Sequence, residues 1–552
     1  MLKNIKYYLL LLFAAVVTLC LCSMFIKRST PSGGSIRLYT AFFDTKGFLL
    51  DTNNEIKQRI ADITGAECDE TWLDDGISRE SAINDYIAGG HYPDFVQGGQ
   101  EFLEAGALIP VDQYWEEYPN IYNYLPQDEW DKFRQEDGHI YWIPQFGVTN
   151  GKSCEIMHQG EAFWIQTRVL KWAGYPEIRT VREYFSLLED YIKENPEMDD
   201  GTKNIAFTIL CDDWRYFCLE NVPQFLDGYP NDGCCIVDPS SKKVIDYNIT
   251  PTAKKYFSIL NEEFKKGIID SESFTSTYDE YLEKLSTGAV LGMVDQWWDF
   301  AYDITASYER LGLRSKGCDY VPLPITISRG IKNQWHVDRS EELDISGGLS
   351  VTTSCKDIDG AFQFVNDLLD QEVQNLRFWG IKGEDYEIGS DGMFYKTQEQ
   401  KMRTDDVKLQ TGHFCTYSYF PRKEGMTGDG INAFSPENQA GIFFDSLPED
   451  VRECFKAYGC KNYVEMLGNN EAPGVWYPMY SYSSKLTYSS REGYVWKRMN
   501  DIKRQWLPRV IMADGFEEIW DSYMEAYNRC NPEVFFESVQ QELDRRIKQG
   551  KD

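Results

Sequence analysis

Short apolar runs alternate along this chain with amphipathic helical stretches, and that alternation constrains the fold more than any other feature of the sequence. Ile36 to Phe43 reads as a strand, and Glu55 to Thr64 follows with helical spacing at Ile56, Ile60 and Ile63 before Gly65. Pro93-Asp94-Phe95-Val96 is a second short buried run; Gly98-Gly99 breaks it, and Phe102-Leu103 opens a helical turn that Gly106 ends. Thr180 and Glu183 form a capping box, each side chain satisfying a free backbone donor of the first turn. Val181, Tyr184, Phe185, Leu188 and Ile192 then line one face up to Asn195-Pro196. Thr250-Pro251 starts another helix, with Pro where its missing N–H costs nothing, and Tyr256, Phe257, Leu260 and Phe264 form its stripe before Gly267. Ile358, Ala361, Phe362, Val365, Leu368 and Leu369 give a further face, and the tail reads as helices over Phe516 to Tyr527 and Pro532 to Ile547. Such interleaving predicts an α/β chain whose sheets are covered on both faces.

The N-terminus has the layout of an export signal: Lys3 and Lys6, an apolar run from Tyr7 to Ile26, then Lys27 and Arg28. Cys20 and Cys22 stand where a lipoprotein signal offers its acylated cysteine, although Leu19 and Leu21 occupy positions that usually hold a small residue. As a helix the same run would reach about 30 Å, enough to span a bilayer uncleaved. Residues 1–34 are therefore read as an export signal or membrane anchor with a short polar linker, by either an acylated cysteine or a retained helix. Both place the body of the chain at the extracellular face of the cytoplasmic membrane, tethered through its N-terminus.

Composition removes several classes of function. The formal net charge of −32, from 88 acidic and 56 basic residues, leaves no basic face for phosphate, so nucleic acid is not an expected partner. At 42% hydrophobic and 26% charged, the chain is globular. Apart from Cys20 and Cys22 the cysteines are scattered, with no CxxC, and the 5 histidines are spread out, so neither a metal nor another cofactor is expected. Whether any of these cysteines pair is left open.

Several stretches in a fixed order resemble one family. Tyr92-Pro93-Asp94-Phe95-Val96 with Gly106-Ala107-Leu108-Ile109-Pro110-Val111-Asp112, then Asp137-Gly138-His139-Ile140-Tyr141-Trp142-Ile143-Pro144, are similar to early elements of the extracellular solute-binding proteins of carbohydrate ABC importers (the family 1 type, in its large Gram-positive subgroup). Trp164-Ile165-Gln166-Thr167-Arg168 with Trp172-Ala173-Gly174-Tyr175-Pro176 resembles the family's crossing segment, and Gly288-Ala289-Val290-Leu291-Gly292-Met293 before Trp297-Trp298 resembles its later strand. Thr167 stands where the crossing segment often has Asp. The shared order runs over roughly residues 36 to 390, and Ser350 to Thr353 fits the return to the first lobe.

The resemblance implies a two-lobed periplasmic-binding-protein-like fold of type II, with a ligand cleft between the lobes. On that basis lobe 1 is expected at 35–162 plus 345–385 and lobe 2 at 163–344 plus 386–552, with hinges near Trp164 to Thr167 and Glu342 to Ser346. The implied activity is capture of a carbohydrate, an oligosaccharide in particular, by lobe closure, as a monomer that delivers it to ABC permease subunits. Sugars offer apolar C–H faces and many hydroxyls, so a site should pair aromatic platforms with polar side chains. Asp295-Gln296-Trp297-Trp298-Asp299 fits best, and the resemblance puts the family's sugar-stacking Trp there. Phe42-Phe43-Asp44 ends the first strand, and strand ends face the crevice in open α/β sheets. Gln97 and Gln100 flank the paired glycines, and Gln145-Phe146 follows Ile143-Pro144. Trp72, Trp214, Trp335 and Trp379 stand alone in sequence and read as core. Two other functions remain: an extracellular glycoside hydrolase, which needs two carboxylates across a scissile bond, and a binding protein that feeds a membrane kinase. No GxSxG, HExxH or P-loop pattern marks an enzyme.

Overall fold

The computed structural model describes residues 35–549 apart from 48, 75, 147–155, 338–342, 405, 440–442 and 475. The apolar N-terminal run, with Cys20 and Cys22, lies outside the described residues. Among the described residues no helix is long and apolar enough to cross a membrane.

The frame is set by strands β1 (Arg37–Phe43), β2 (Ala66–Trp72), β3 (Phe95–Gly98), β4 (Glu161–Gln166), β5 (Ile205–Ile209), β6 (Ile236–Asp238), β7 (Lys243–Ile245), β8 (Val290–Gln296), β9 (Tyr320–Leu323) and β10 (Gly348–Val351). One sheet runs β10-β3-β1-β2, with β1 parallel to β2 and β3 and β10 antiparallel to β3. The other runs β5-β8-β4-β9, with β5 parallel to β8 and β4 antiparallel to both its neighbours. Strands β6 and β7 form a separate hairpin. Every residue of β4 is buried, and β8 is buried up to its last residue, as expected of central strands covered on both faces. By contrast β2, Ala-Glu-Cys-Asp-Glu-Thr-Trp, buries only Ala66 and Cys68; it holds its place at the sheet edge by pairing with β1.

The helices follow their local signals. In α1 (Glu55–Thr64) the Asn54 side chain accepts from the Lys57 N–H and Gly65 closes the end at φ 69°, a left-handed conformation that favours glycine. Thr180 and Glu183 cap α2 (Val181–Glu194) reciprocally, and Thr250 caps α3 (Pro251–Lys265). Helix α4 (Trp297–Leu311) starts directly at the end of β8. Helix α5 (Ile358–Leu368) covers the first sheet, and α6 (Arg491–Met512), α7 (Phe516–Asn528) and α8 (Glu533–Gln549) close the chain.

Two hydrophobic cores result. The first gathers residues of β1, β2, β3, β10 and α5 together with Cys415, Tyr417 and Phe420. The second gathers β4, β5, β8 and β9 with α2, α3 and α6 to α8. The chain passes between them three times: between Ile143 and Ile156, between Trp335 and Leu343, and between Phe420 and Phe443. This division corrects the expected one. Glu161 and Ala162 belong to the second sheet, and Trp164 to Gln166 lie in its interior strand, where they cannot serve as a hinge. The stretch after 386, expected in the second lobe, packs at least through residue 433 on the first. The buried Arg377 guanidinium donates to the carbonyls of Leu368, Thr416, Tyr417, Phe420 and Pro421, and Trp379 Nε1 donates to Ala433 O at 3.1 Å. Of the second expected hinge, Glu342 lies outside the described residues, while Ile345 packs on the first core.

Candidate functional site

The carboxyl ends of both sheets point their loops toward the junction of the lobes, the position where open α/β sheets bind ligands. Contacts between the lobes come from these loops. After β1, Lys46 Nζ reaches Asp279 Oδ2 at 2.7 Å; after β2, the Arg79 N–H donates to Asp213 Oδ2 at 2.9 Å. Farther out, Thr487 Oγ1 donates to Glu104 Oε1 at 3.0 Å.

An aromatic platform stands on each side. On the first lobe, Tyr419 contacts Trp72 (5.2 Å between ring centroids), Phe43 (5.3 Å) and Phe146 (5.4 Å), and the Arg422 guanidinium lies 5.2 Å from the Phe146 ring. On the second, Trp214 and Trp298 stack at 5.7 Å with an interplanar angle of 11°. Arg215 lies between the Trp214 ring, at 4.6 Å, and that of Tyr278, at 3.7 Å, and its Nε holds Asp299 Oδ1 at 2.6 Å.

The two platforms stand on opposite sides of the loop contacts between the lobes. Burial pushes the Tyr419 phenol up, and the charges acting on it include Asp44 of its own lobe and Arg215 and Asp299 of the other. Tyr302, on α4, keeps 48% of its surface open, yet desolvation, and then the Glu437 charge, push its phenol well above the usual range; Arg422 of the first lobe opposes that shift. A side chain enclosed by protein but open along one side lines a cleft. Asp303, one residue on, is pushed up to about 6, first by burial.

Two strained positions flank the platforms. Asp213 and Tyr417 both have φ 44°, a region that non-glycine residues rarely adopt. Asp213 precedes Trp214 and takes the Arg79 N–H across the cleft, while Tyr417 sits in the turn that Arg377 holds, two residues before Tyr419. Such strain is retained where surrounding contacts fix it, often around binding sites.

The predicted residues separate into wall and interior. Trp298 is on the wall, with Nε1 donating to Gln296 Oε1 at 2.6 Å. Trp297 is turned inward onto Trp164 (5.3 Å), Phe300 (5.5 Å) and Tyr463 (5.2 Å). Asp295, expected to touch ligand, has no exposed surface: it accepts from the Tyr281 hydroxyl at 2.6 Å and the Cys218 thiol at 3.2 Å, and burial pushes its carboxyl up to about 6. Phe42 and Phe43 are buried, Phe42 against Tyr86 at 4.7 Å. Asp44 is engaged by Arg79 Nε at 2.6 Å. Gln97 is half-buried and its Oε1 finds no partner among the described residues, whereas Gln100 donates to Glu104 at 3.4 Å. Gln145 is buried and donates to the Tyr419 carbonyl, so it supports the platform from behind, and Phe146 is 37% exposed at its edge.

Sequence reasoning missed Trp72, Trp214, Arg79, Arg215, Tyr302, Tyr419 and Arg422. Asp212-Asp213-Trp214-Arg215 follows the end of β5 after Leu210 and Cys211, a strand-end signal of the kind that singled out Phe42 to Asp44. Trp335 and Trp379 are core residues as expected, Trp335 stacking on Phe225 at 4.1 Å.

Among the described residues two clusters have metal-ligating types, Glu55-Glu384-His413 and Cys218-Asp295-Asp299. In the first, Arg59 and Arg403 hold the glutamates; in the second, Arg215 and Tyr281 hold the aspartates. The described cysteines are unpaired, and the adjacent Cys234 and Cys235 sulfurs are 3.9 Å apart.

No family model matches the sequence, and no curated protein matches it either. Solved structures do. The substrate-binding protein FusA of a Streptococcus pneumoniae ABC transporter, in complex with kestose, is 16% identical with a TM-score of 0.63, covering 94% of this chain and 100% of its own. The alginate-binding protein AlgQ2 is 14% identical with a TM-score of 0.61 at the same coverage. The N-glycan transport solute-binding protein NgtS of Streptococcus pneumoniae, in complex with Man5GlcNAc, is 13% identical with a TM-score of 0.53, covering 93% of this chain and 99% of its own. The fold is thus the two-lobed α/β architecture of these solute-binding proteins, over almost the whole chain.

Proposed function

We propose that this chain is the substrate-binding component of an ABC importer and captures an oligosaccharide between its lobes. The observation that carries this reading is the pair of aromatic platforms, one on each lobe beside the interlobe contacts, Trp214 with Trp298 and Tyr419 with Phe146. Flat rings bury the apolar faces of sugars, and Gln296, only partly buried beside Trp298, is suited to hydroxyl groups. The neighbours' names describe an alginate-binding protein, an ABC-transporter substrate-binding protein in complex with kestose and an N-glycan transport solute-binding protein, which supports the same kind of role here and a non-enzymatic one. Closure is driven only by the extra affinity of the ligand for the closed form. Delivery to permease subunits, and tethering at the outer face of the membrane by an acylated Cys20 or Cys22 or by a retained helix, complete the proposal.

The test is a glycan screen on residues 35–552 by thermal shift. A ligand at 100 times its Kd adds about 2.7 kcal/mol of stability. Analysis of the same mixtures for cleavage products separates a binding protein from a hydrolase. If no glycan raises the melting temperature, or if one is cleaved, the proposal fails.

A further inference from the structure

The charges around the platforms carry the reading of the site one step further, and the step rests on that reading. Lys46, Arg79, Arg215 and Arg422 border the platforms, and each already has a carboxylate of this chain. Lys46 Nζ holds Asp279 at 2.7 Å. Arg79 Nε holds Asp44 at 2.6 Å, and its Nη1 lies 3.5 Å from Glu101. Arg215 holds Asp299 at 2.6 Å. Arg422 holds one oxygen of Glu424, Oε1, with both Nε, at 2.9 Å, and Nη2, at 2.7 Å, so the guanidinium edge that could receive a ligand carboxylate is already taken. Further acids stand around the same space. Asp213 spends its carboxylate on the Arg79 N–H, Asp303 is approached by the Tyr278 hydroxyl at 3.3 Å, and Glu437 lies near enough to Tyr302 to raise its phenol.

We infer that the cleft selects neutral glycans and rejects those that carry carboxylates. A uronate entering this space would find every bordering guanidinium engaged and several carboxylates facing it. Taking a cation away from its partner leaves that partner's charge uncompensated in a partly desolvated site, and like charges brought together there repel. A neutral sugar needs none of this. Its apolar face meets the rings, and its hydroxyls can donate to the paired carboxylates without separating the pairs.

The experiment uses the protein from residue 35 onward and isothermal titration with two probes of matched length, a neutral fructan of the kestose type and an alginate oligosaccharide. Man5GlcNAc serves as a second neutral probe. The expected result is binding of at least one neutral probe with the uronate weaker by about tenfold or more, the gap narrowing at high salt as charges are screened. Glu424→Gln, which frees the Arg422 fork, should improve the uronate relative to the neutral glycan. Glu101→Gln, farther from its arginine, offers the same readout should the first variant melt early. Uronate binding as tight as the neutral probes, or a ratio unmoved in both folded variants, overturns this inference alone. No binding of either kind overturns the oligosaccharide reading with it.

Discussion

Replacing the two adjacent tryptophans one at a time separates wall from core within a single turn of α4. Consecutive helical residues point about 100° apart. Trp297 therefore packs on Trp164, Phe300 and Tyr463 while Trp298 lies against Trp214 at the cleft. In Trp298→Ala a sugar ring loses a platform on the order of 70 Å², which at roughly 25 cal/mol per Å² is about 1.8 kcal/mol, roughly a 20-fold rise in Kd. The folded state loses the Trp214 stack, about 1 kcal/mol, and the melting temperature falls by roughly 2–4 °C. Trp297→Ala does the reverse. Removing a half-buried indole from three aromatic neighbours costs about 2–3 kcal/mol and lowers the melting temperature by roughly 5–10 °C, with little change in Kd for the protein that remains folded. The assays are thermal melting without ligand and isothermal titration with whichever glycan binds. Normal affinity in Trp298→Ala, or lost affinity with unchanged melting in Trp297→Ala, would refute the assignment.

Other consequences follow from charges in the interior and across the cleft. Arg377→Met leaves the carbonyls of Leu368, Thr416, Tyr417, Phe420 and Pro421 without their donor; unfolding by urea should show a loss of about 3–5 kcal/mol, and the surviving folded protein should bind more weakly because Tyr419 and Arg422 are no longer positioned. Burial pushes Asp295, Asp303 and Asp319 up to about 6 and Glu70 up to about 7. Each binds its proton more tightly folded than unfolded, so its cost to folding is fully present above the folded value and vanishes as pH falls toward about 4. The net charge of −32 acts in the same direction. Melting temperature should therefore rise from about pH 8 to about pH 5.5; a fall over that window would contradict these environments. Lys46→Ala removes the contact with Asp279 across the lobes, a partly exposed pair worth about 0.2–1 kcal/mol, and should raise Kd two- to five-fold without changing the melting temperature of the free protein by more than about 2 °C.

Much of the fold is legible in the chain because its signals are local. The capping box at Thr180 and Glu183, Thr250 before Pro251, and Gly65 after Thr64 each fix a helix end within a few residues. Strand β2 carries no such signal: four of its seven residues are Glu, Cys, Asp and Glu, and only its parallel neighbour makes it a strand. The placement of residues 386 to 433 with the first lobe is equally hidden, since it depends on the long-range bonds of Arg377 and Trp379 rather than on periodicity. In the candidate site, Trp298 and Phe146, which the structure places among the rings of the two platforms, stand out in the sequence as aromatic residues beside polar ones. Asp295 could not be told from a wall residue, because β8 stays buried one residue longer than its sequence suggests. Tyr419 and Arg422 reach the cleft from a loop with no regular element around it, held by a buried guanidinium far away in sequence.

The position of a bound glycan decides between these platforms and any other surface of the molecule. A crystal structure of residues 35–552 with the glycan selected by the thermal screen measures this directly. The predicted result is a sugar ring lying against the Trp214 and Trp298 face, another against Tyr419 and Phe146, and no ligand carboxylate at Arg79, Arg215 or Arg422. A glycan bound away from the junction of the lobes, or held there by those arginines with the aromatic faces bare, would contradict it.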